Sequence, residues 1–306
     1  MKRIVVLLMV LGSATFVSAQ PANRQTKQRQ LLRLYEAHFF EELPYRLLKP
    51  IDFKAGEKKK YPLILSLHGA GGRGGDNKKN LRNWNGYLAE EALRRKHPCF
   101  VAAPQTPGPW TVPGGEPEFN EETVAKLPAA WQKWVRRRQS RGTVRRQRGG
   151  DLPKVFKLLD ALAKEYPIDT SRVYVLGHSM GGFGTWNALL EAPERFAAGI
   201  PTAGGAPPWK DFKRIVDIPI WTFHGDNDPT VSVELTRYVF GELKKQGANT
   251  KYTEIRGVKH AAAGVAFRYE GDDAKKGMVT KYASDRCDKT ENIWDWLFAQ
   301  KKKSTE

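Results

Sequence analysis

The 306-residue chain is poor in cysteine, in acidic side chains and in long apolar runs. Its 2 cysteines exclude a disulfide-dense scaffold and a multi-cysteine zinc or iron–sulfur site. Acidic residues number 33 against 51 lysines and arginines, so the net charge is +18, which permits anionic partners without fixing the fold. No motif for a metal, a cofactor or a nucleic acid occurs, and we expect none of these to bind. Hydrophobic residues make up 40% of the chain, enough for a sizeable core.

The longest apolar run lies at the amino terminus. Lys2 and Arg3 precede the run 4–17, and small residues follow it up to Ala19. A charged start, a short apolar stretch and a small-residue exit predict a secretory signal peptide over 1–19, cleaved near Ala19. Because the run is shorter than the ~20 residues of a spanning helix, we expect no membrane span in the mature chain. We therefore expect the protein to be secreted or periplasmic.

The rest of the chain is predicted to form one domain. We place a lead-in at 20–44, the domain at 45–300 and a charged tail at 301–306. In an oxidising compartment Cys99 and Cys287 could form a disulfide, and two buried free thiols agree with the sequence equally well.

Short apolar runs alternate with amphipathic segments along this domain. Five runs have the composition of strands buried on both faces, as in a parallel sheet: 63–67, 99–103, 173–176, 218–223 and 250–255. Three segments have helical spacing of apolar residues: 151–162, 231–245 and 291–298. The alternation predicts an α/β fold with a mostly parallel central sheet and helices on both faces.

The segment 106–150 interrupts this alternation, and its length predicts an insertion or lid. Its part 133–148 is basic and has no acidic residue, so it is either a polyanion-binding patch or a solvated surface. An acidic polysaccharide would contact its arginines: Arg136, Arg137, Arg138, Arg141, Arg145 and Arg146. Three tryptophans of the segment are candidates for stacking on aromatic or sugar rings: Trp110, Trp131 and Trp134.

The pentapeptide 177–181 has the pattern G-x-S-x-G and joins a predicted strand to a predicted helix that ends near Leu190. In that context the pattern indicates a sharp turn that exposes a nucleophilic serine, Ser179, above a helix amino terminus. The small residues on both sides let neighbouring backbone approach. A glycine-rich turn whose serine merely caps the helix is the alternative.

A serine nucleophile needs a base and an orienting acid, which follow it in the order acid, then histidine. His260 is the only histidine after the acid candidates. Asp226 and Asp228 both follow the fourth predicted strand; we favour Asp228 as the acid and Asp226 as a turn-forming residue. The glycine-rich loop 68–76 would supply an oxyanion donor near Ala70, with Met180 as the second.

These segments resemble the α/β-hydrolase superfamily. The closer resemblance is to secreted esterases grouped with polyhydroxybutyrate depolymerases, feruloyl esterases and predicted peptidases of the prolyl-oligopeptidase type. It extends over roughly 45–298 and is carried by these strings: 61–63, 68–71, 103–105, 168–169, 172–174, 177–182, 196–198, 223–225 with Asp228, and 294–298. The resemblance implies Ser179 as nucleophile, Asp228 as acid and His260 as base.

The sequence therefore predicts an exported serine hydrolase that cleaves carboxylic esters through an acyl-enzyme. Its substrate would be a small-molecule or polymer-linked ester, with polysaccharide-linked and phenolic esters favoured. A prolyl-oligopeptidase-type peptidase and a polyester depolymerase are the alternatives with the same chemistry. A non-catalytic protein that binds polyanions on a hydrolase scaffold is the alternative of another class.

Overall fold

The central feature of the fold is a twisted sheet. The computed structural model describes residues 28–115, 117–140 and 150–302, and within them the sheet has nine strands. Their bounds are β1 Glu36–Phe40, β2 Leu43–Leu48, β3 Tyr61–Leu67, β4 Phe100–Pro104, β5 Ile168–His178, β6 Ala198–Thr202, β7 Ile220–Gly225, β8 Thr250–Ile255 and β9 Met278–Tyr282. The spatial order is β1-β2-β4-β3-β5-β6-β7-β8-β9. The run from β4 to β8 is parallel, and β1, β2 and β9 join its two ends antiparallel.

Helices cover both faces of this sheet. Their bounds are α1 Asn83–Leu88, α2 Glu91–Lys96, α3 Glu121–Ala125, α4 Ala129–Ser140, α5 Leu152–Glu165, α6 Met180–Glu191, α7 Val233–Lys245, α8 Ala262–Ala266 and α9 Ile293–Ala299. Buried residues of α5, α6 and α7 pack in one hydrophobic cluster with one side of the strands. Those of α1, α8 and α9 pack in a second cluster on the other side. The predicted mostly parallel α/β fold is confirmed.

Each of the five runs predicted as strands overlaps one parallel strand: β3, β4, β5, β7 or β8. The sequence does not predict β1, β2, β6 and β9. β6 reads A-G-I-P-T, whose small residues and proline hide a strand that is buried throughout. β1 and β9 lie at the sheet edges and are partly exposed, so they lack a continuous apolar run. β1 also falls within the segment predicted as a lead-in.

The described part of the basic insertion is ordered by packing. Trp131 and Val135 on α4 are buried against Leu235 of α7, in a small cluster of their own. Lys133, Arg136 and Arg137 on the same helix are exposed. The prediction of a solvated face therefore describes one side of α4 only. Arg141, Arg145 and Arg146 lie outside the described residues.

Both cysteines, Cys99 and Cys287, are buried free thiols. The predicted signal peptide 1–19 lies outside the described residues, as does most of the tail 301–306. Among the helices that the structure describes, none has the length and apolarity needed to cross a membrane.

Candidate active site

Ser179 lies at the sharp turn between β5 and α6. Its backbone has φ 59° and ψ −119°, a conformation that residues other than glycine rarely adopt. The N–H of Ser179 donates to the carbonyl of Thr202 on the neighbouring strand, at 3.0 Å, which helps to hold this strained backbone. The turn leaves the Ser179 hydroxyl at the carboxyl edge of the sheet, where α6 begins.

The glycines on either side of Ser179 are required by close backbone contacts. A Cβ on Gly181 would lie 2.0 Å from the carbonyl oxygen of Leu67 at the end of β3. A Cβ on Gly177 would lie 2.6 Å from the same oxygen and 2.5 Å from the carbonyl oxygen of Gly181. Any side chain there would push the helix away from the sheet, so the G-x-S-x-G spacing is dictated by the turn itself.

The structure brings Ser179, His260 and Asp228 into one hydrogen-bonded row. His260 Nε2 lies 2.8 Å from Ser179 Oγ, and His260 Nδ1 lies 2.7 Å from Asp228 Oδ2. Asp228 follows β7 and His260 follows β8, so loops at the same edge of the sheet supply both. The Asp228 side chain is fully buried, whereas that of His260 is 25% exposed. With a neutral His260, Nδ1–H donates to Asp228 and the Ser179 hydroxyl donates to Nε2.

Asp228 is held as a carboxylate. Burial acts to raise its pKa, but hydrogen bonds from His224, His260 and the N–H groups of Val231 and Thr230 outweigh burial and lower the pKa well below its usual range. The two N–H groups reach Asp228 Oδ1 at 3.0 and 2.8 Å. A fixed negative charge beside His260 is what keeps an imidazole in one tautomer and stabilises it when protonated.

His224 is a partner of Asp228 that sequence reasoning set aside, since it precedes the acid. It is fully buried at the end of β7, with Nε2 3.3 Å from Asp228 Oδ2 and 3.0 Å from the carbonyl of Val231. Its Nδ1 lies 2.7 Å from Thr236 Oγ1. Because both neighbours of Nε2 accept hydrogen bonds, this nitrogen carries a proton and donates. The sequence feature that could have indicated this contact is a histidine four residues before Asp228, at the end of a buried strand.

Asp226 does not contact His260 in this arrangement. It accepts a hydrogen bond from the N–H of Gly257 at 2.6 Å and so joins the loops after β7 and β8. A Cβ on Gly225 would lie 2.1 Å from the carbonyl of Val258, so these two loops are in close contact. Their contact fixes the separation of Asp228 and His260.

Ala70 and Met180, the predicted oxyanion residues, both line one cleft of the protein. Ala70 begins a 3₁₀ turn, Ala70–Gly72, directly after β3, and Met180 is the first residue of α6. A Cβ on Gly69, the residue before Ala70, would lie 3.7 Å from Ser179 Cβ. The glycine-rich loop therefore passes directly beside Ser179. The Arg73 Nε–H of this loop donates to Met180 Sδ at 3.2 Å.

Two further histidines, the buried His68 and the half-buried His178, support the site in the neutral form. His68 Nδ1–H donates to the Gly69 carbonyl at 2.8 Å, and its Nε2 accepts from the Thr106 N–H at 3.1 Å. Burial lowers the pKa of His68 to about 4. Burial also lowers the pKa of His178 to about 4, with the neighbouring His260 adding to the effect. His178 Nε2 lies 3.2 Å from the His260 carbonyl oxygen and thus contacts the backbone of the predicted base.

A cleft of about 370 Å³ opens beside Ala70 and Met180. The insertion contributes much of its lining, including all three tryptophans that the sequence singled out and one of the predicted arginines. The lining residues are Ala70, Arg73, Pro109, Trp110, Thr111, Val112, Gly115, Trp131, Trp134, Arg138, Met180, Phe183, Asn187, Glu191, Pro207, Trp209, Lys210, Thr230 and Val231. Trp110 Nε1–H donates to the His68 carbonyl at 2.9 Å, which fastens the insertion to the glycine-rich loop. In the described ranges no group of three or more His, Cys, Asp or Glu side chains has the arrangement of a metal site.

Comparison with known proteins agrees with this fold. Residues 141–208, which contain the Ser179 turn, match the prolyl oligopeptidase family. The crystal structure of a thermostable esterase superposes with a TM-score of 0.65 and 30% identity, covering 89% of this chain and 64% of that one. A bifunctional acetylxylan esterase/xylanase of Neocallimastix patriciarum is 36% identical over 88 residues, which are 28% of this chain and 12% of the relative. An uncharacterized secreted protein of Arthroderma benhamiae is 29% identical over 30% of this chain and 13% of its own length.

The chain has the α/β-hydrolase fold, and the predicted resemblance to serine esterases of that fold is confirmed. It is similar to an esterase over most of its length and to the prolyl oligopeptidase family around the Ser179 turn. It spans about an eighth of the two curated relatives and less than two thirds of the solved esterase.

Proposed function

We propose that the protein is a serine hydrolase that cleaves carboxylic esters through an acyl-enzyme. The observation that carries the proposal is the row Asp228–His260–Ser179, with contacts of 2.7 and 2.8 Å between consecutive side chains. Hydrogen bonds at that range fit proton transfer from the hydroxyl to the imidazole. Backbone N–H groups beside the nucleophile fit the stabilisation of negative charge on a substrate oxygen.

In the proposed mechanism Ser179 Oγ attacks the ester carbonyl carbon while its proton passes to His260 Nε2. The carbonyl oxygen becomes an oxyanion, held by N–H groups of Ala70 and Met180. When the carbonyl reforms, the bond to the alcohol oxygen breaks and that oxygen takes the proton from His260. Water then attacks the acyl-enzyme by the same steps, with His260 as base, and releases the carboxylic acid and free Ser179.

A peptidase of the prolyl-oligopeptidase type is the second candidate. It is supported by the family match over 141–208, which contains the nucleophile but not Asp228 or His260. The likeness to a solved esterase extends over 89% of the chain, far more than the family match covers. We therefore favour the ester as substrate.

A polymer-linked ester is the substrate class that we favour within the proposal, above a polyester. The similarity to a bifunctional acetylxylan esterase/xylanase supports an ester on a polysaccharide. The exposed Arg136 and Arg137 on α4 are available to contact an acidic polysaccharide. Export through the predicted signal peptide is part of the same proposal, and the similarity to a secreted protein supports it.

The test compares purified wild-type protein with Ser179→Ala on short-chain and feruloyl chromogenic esters and on prolyl-peptide anilides. We expect ester hydrolysis by the wild type, labelling of Ser179 by a fluorophosphonate, and a loss of kcat of about 10⁴-fold or more in the variant. Anilide cleavage exceeding ester cleavage would establish the peptidase instead. Inactivity on every substrate, with no labelling, would contradict both and favour a polyanion-binding protein.

A further inference from the structure

The glycine-rich loop 68–76, which carries Ala70, has little in its own sequence to fix its shape. Five of its nine residues are glycine, and Gly74 has φ 140°, which residues other than glycine rarely adopt. Glycine has more backbone freedom than any other residue. An oxyanion donor is effective only when its nitrogen lies within about 3 Å of the place that the charged oxygen will occupy. The loop must therefore be held by contacts from outside if Ala70 is to act as a donor.

Gln105 supplies three such contacts from one side chain. It directly follows β4 and is fully buried, and its own N–H donates to the Pro44 carbonyl of β2 at 2.8 Å. Its Nε2 donates to the Gly72 carbonyl at 2.9 Å and to Asp76 Oδ1 at 2.8 Å. Its Oε1 accepts from the Asn77 N–H at 2.5 Å. A single carboxamide, fixed to the sheet, therefore holds the loop at three points.

The chemistry of the Gln105 side chain matches these partners. Nε2 faces two oxygens and Oε1 faces an N–H, so the opposite orientation of the amide would place oxygen against oxygen. Glutamate lacks both donors, and an apolar side chain of the same length would lose all three contacts. Gln105 also ends the string 103–105, which contributes to the resemblance but takes no part in the steps of acyl transfer.

Asp76 is held in the form that accepts from Gln105. Its Oδ1 also accepts from the N–H groups of Lys78 and Lys79, at 3.0 and 3.2 Å. Burial acts to raise the pKa of Asp76, but hydrogen bonds from Gln105, Lys78 and Lys79 outweigh burial and lower the pKa to about 2. Asp76 is therefore a carboxylate at neutral pH, and its hydrogen bond with Gln105 is charge-assisted.

Thr106 gives the loop additional support that does not depend on Gln105. The Thr106 carbonyl accepts from the Gly74 N–H at 3.2 Å, and the Thr106 N–H donates to His68 Nε2 at 3.1 Å. Both contacts use the Thr106 backbone. Loss of the Gln105 contacts should therefore displace the loop without releasing it from the sheet.

We propose that Gln105 is a positioning residue that sets the place of the Ala70 N–H relative to Ser179, an inference that rests on the proposed ester hydrolysis. Its bond to Gly72 fixes the far end of the turn that begins at Ala70. The substrate carbonyl oxygen gains its negative charge only on attack by Ser179. A displaced donor therefore weakens binding of the transition state far more than binding of the substrate.

The experiment measures Gln105→Met, which removes all three contacts at a similar side-chain length, on a short-chain ester. We expect kcat, per active site titrated with a fluorophosphonate, to fall about 100-fold, with KM changed less than about twofold. The second readout is inhibition by a trifluoromethyl ketone with the same acyl chain. Ser179 Oγ adds to its carbonyl carbon, the proton passes to His260, and the carbonyl oxygen becomes an oxyanion. Its Ki should rise by about the factor by which kcat falls.

Asp76→Ala is a second variant that leaves the core unchanged, because the Asp76 side chain is 39% exposed. It removes one of the three partners of Gln105, so kcat should fall about tenfold with KM unchanged. If Gln105→Met does not fold, Asp76→Ala decides alone. Lys79→Ala is the matched control, because it removes the exposed ammonium 3.6 Å from Asp76 Oδ2 and leaves the bond between Asp76 and Gln105 in place. It should have the kcat of the wild type.

Asn292→Ala controls for a general loss of stability, because this side chain caps α9 by accepting from the N–H groups of Trp294 and Asp295. It should lower the urea midpoint and leave kcat per titrated site unchanged. Wild-type kcat in every folded variant of Gln105 and Asp76, an unchanged Ki where kcat falls, or an equal fall of kcat in Asn292→Ala would overturn the inference. Ester hydrolysis by the wild type would then still support the proposed function. A wild-type protein without turnover or labelling would overturn both.

Discussion

The candidate active site consists of two regions that arise differently from the sequence. The catalytic edge (Ser179, His260 and Asp228 with the loops that carry them) lies at the ends of buried parallel strands and depends on short-range backbone constraints. The cleft wall (Trp131, Trp134, Trp209, Phe183 and Arg138) is assembled from the insertion, α6 and the loop between β6 and β7. Its residues meet only through packing between distant segments.

This difference separates the chemistry from the choice of substrate. At the catalytic edge, a strained serine and tightly packed glycines leave little freedom, so a change there should affect turnover or folding. At the cleft wall, side chains border an open space of about 370 Å³, so a change there should affect KM for particular esters. The following predictions run from the largest expected effect to the smallest.

Gly181→Ala should have the largest effect, because its Cβ would lie 2.0 Å from the Leu67 carbonyl oxygen, which belongs to fixed backbone. We expect a loss of several kcal/mol of unfolding free energy and nearly complete loss of ester hydrolysis. Chemical denaturation and turnover of a short-chain ester measure the two effects.

Gly241→Ala on α7 is the control, since nothing lies within 4 Å of the Cβ it would add. It should stabilise the protein by about 0.5–1 kcal/mol, as alanine does in a helix interior, and leave turnover unchanged. A stable, active Gly181→Ala protein would show that the turn after β5 is not constrained as described.

Acid should destabilise the fold through His68. Its pKa is about 4 in the folded protein and about 6.5 when unfolded. Between these pH values the unfolded chain binds the extra proton, so the free energy of unfolding rises with pH and falls by about 3 kcal/mol from pH 6.5 to 4. Urea denaturation across this range should give a shallower pH dependence for His68→Gln than for the wild type. Parallel dependences would contradict a buried neutral His68.

His224→Phe should lower kcat about 10- to 100-fold, because Asp228 would lose the donor 3.3 Å from its Oδ2 while remaining buried. His224→Gln, whose amide nitrogen can replace Nε2 as a donor, should recover most of the activity. Steady-state kinetics on a short-chain ester measure both variants. If Phe and Gln lower kcat equally, His224 matters for packing alone and does not position Asp228 by its hydrogen bond.

Trp209→Ala should have the smallest effect on the chemistry and change only the cleft wall. We expect KM for a feruloyl ester to rise about tenfold through lost ring contact, with kcat for a short acetyl ester unchanged. An equal fall in kcat for both esters would contradict the claim that the cleft wall affects KM while the catalytic edge affects turnover.

The catalytic edge could be predicted because its signals are local or ordered along the chain. The G-x-S-x-G pattern follows from contacts within a few residues of Ser179, and only His260 occurs in the position that the base requires. Asp228 and Asp226 are two residues apart, and composition does not separate them. Their distinction depends on loop geometry, which directs Asp228 to His260 and Asp226 to Gly257.

The remainder of the site depends on long-range packing. The sequence does not predict the role of His224, because its contact with Asp228 depends on how the chain turns after β7. The sequence identifies Trp110, Trp131 and Trp134 as tryptophans of the insertion. Trp209 and Phe183 come from other segments and join them only in the folded protein. The strand β6 could not be predicted for a related reason: it is buried by its neighbours and has no apolar run of its own.

The two ends of the insertion lie next to each other in the folded protein. The Leu152 N–H donates to the Thr111 carbonyl, and a Cβ on Gly150 would lie 2.4 Å from that same oxygen. Because its two ends already adjoin, the intervening segment forms a closed loop, and replacing it with a longer or shorter one costs little additional closure entropy. Thr111 and Gly150 are therefore natural junctions for exchange. A segment grafted between them would leave the Trp110 contact with the glycine-rich loop and the catalytic edge unchanged. It would replace the part of the cleft wall that the insertion supplies.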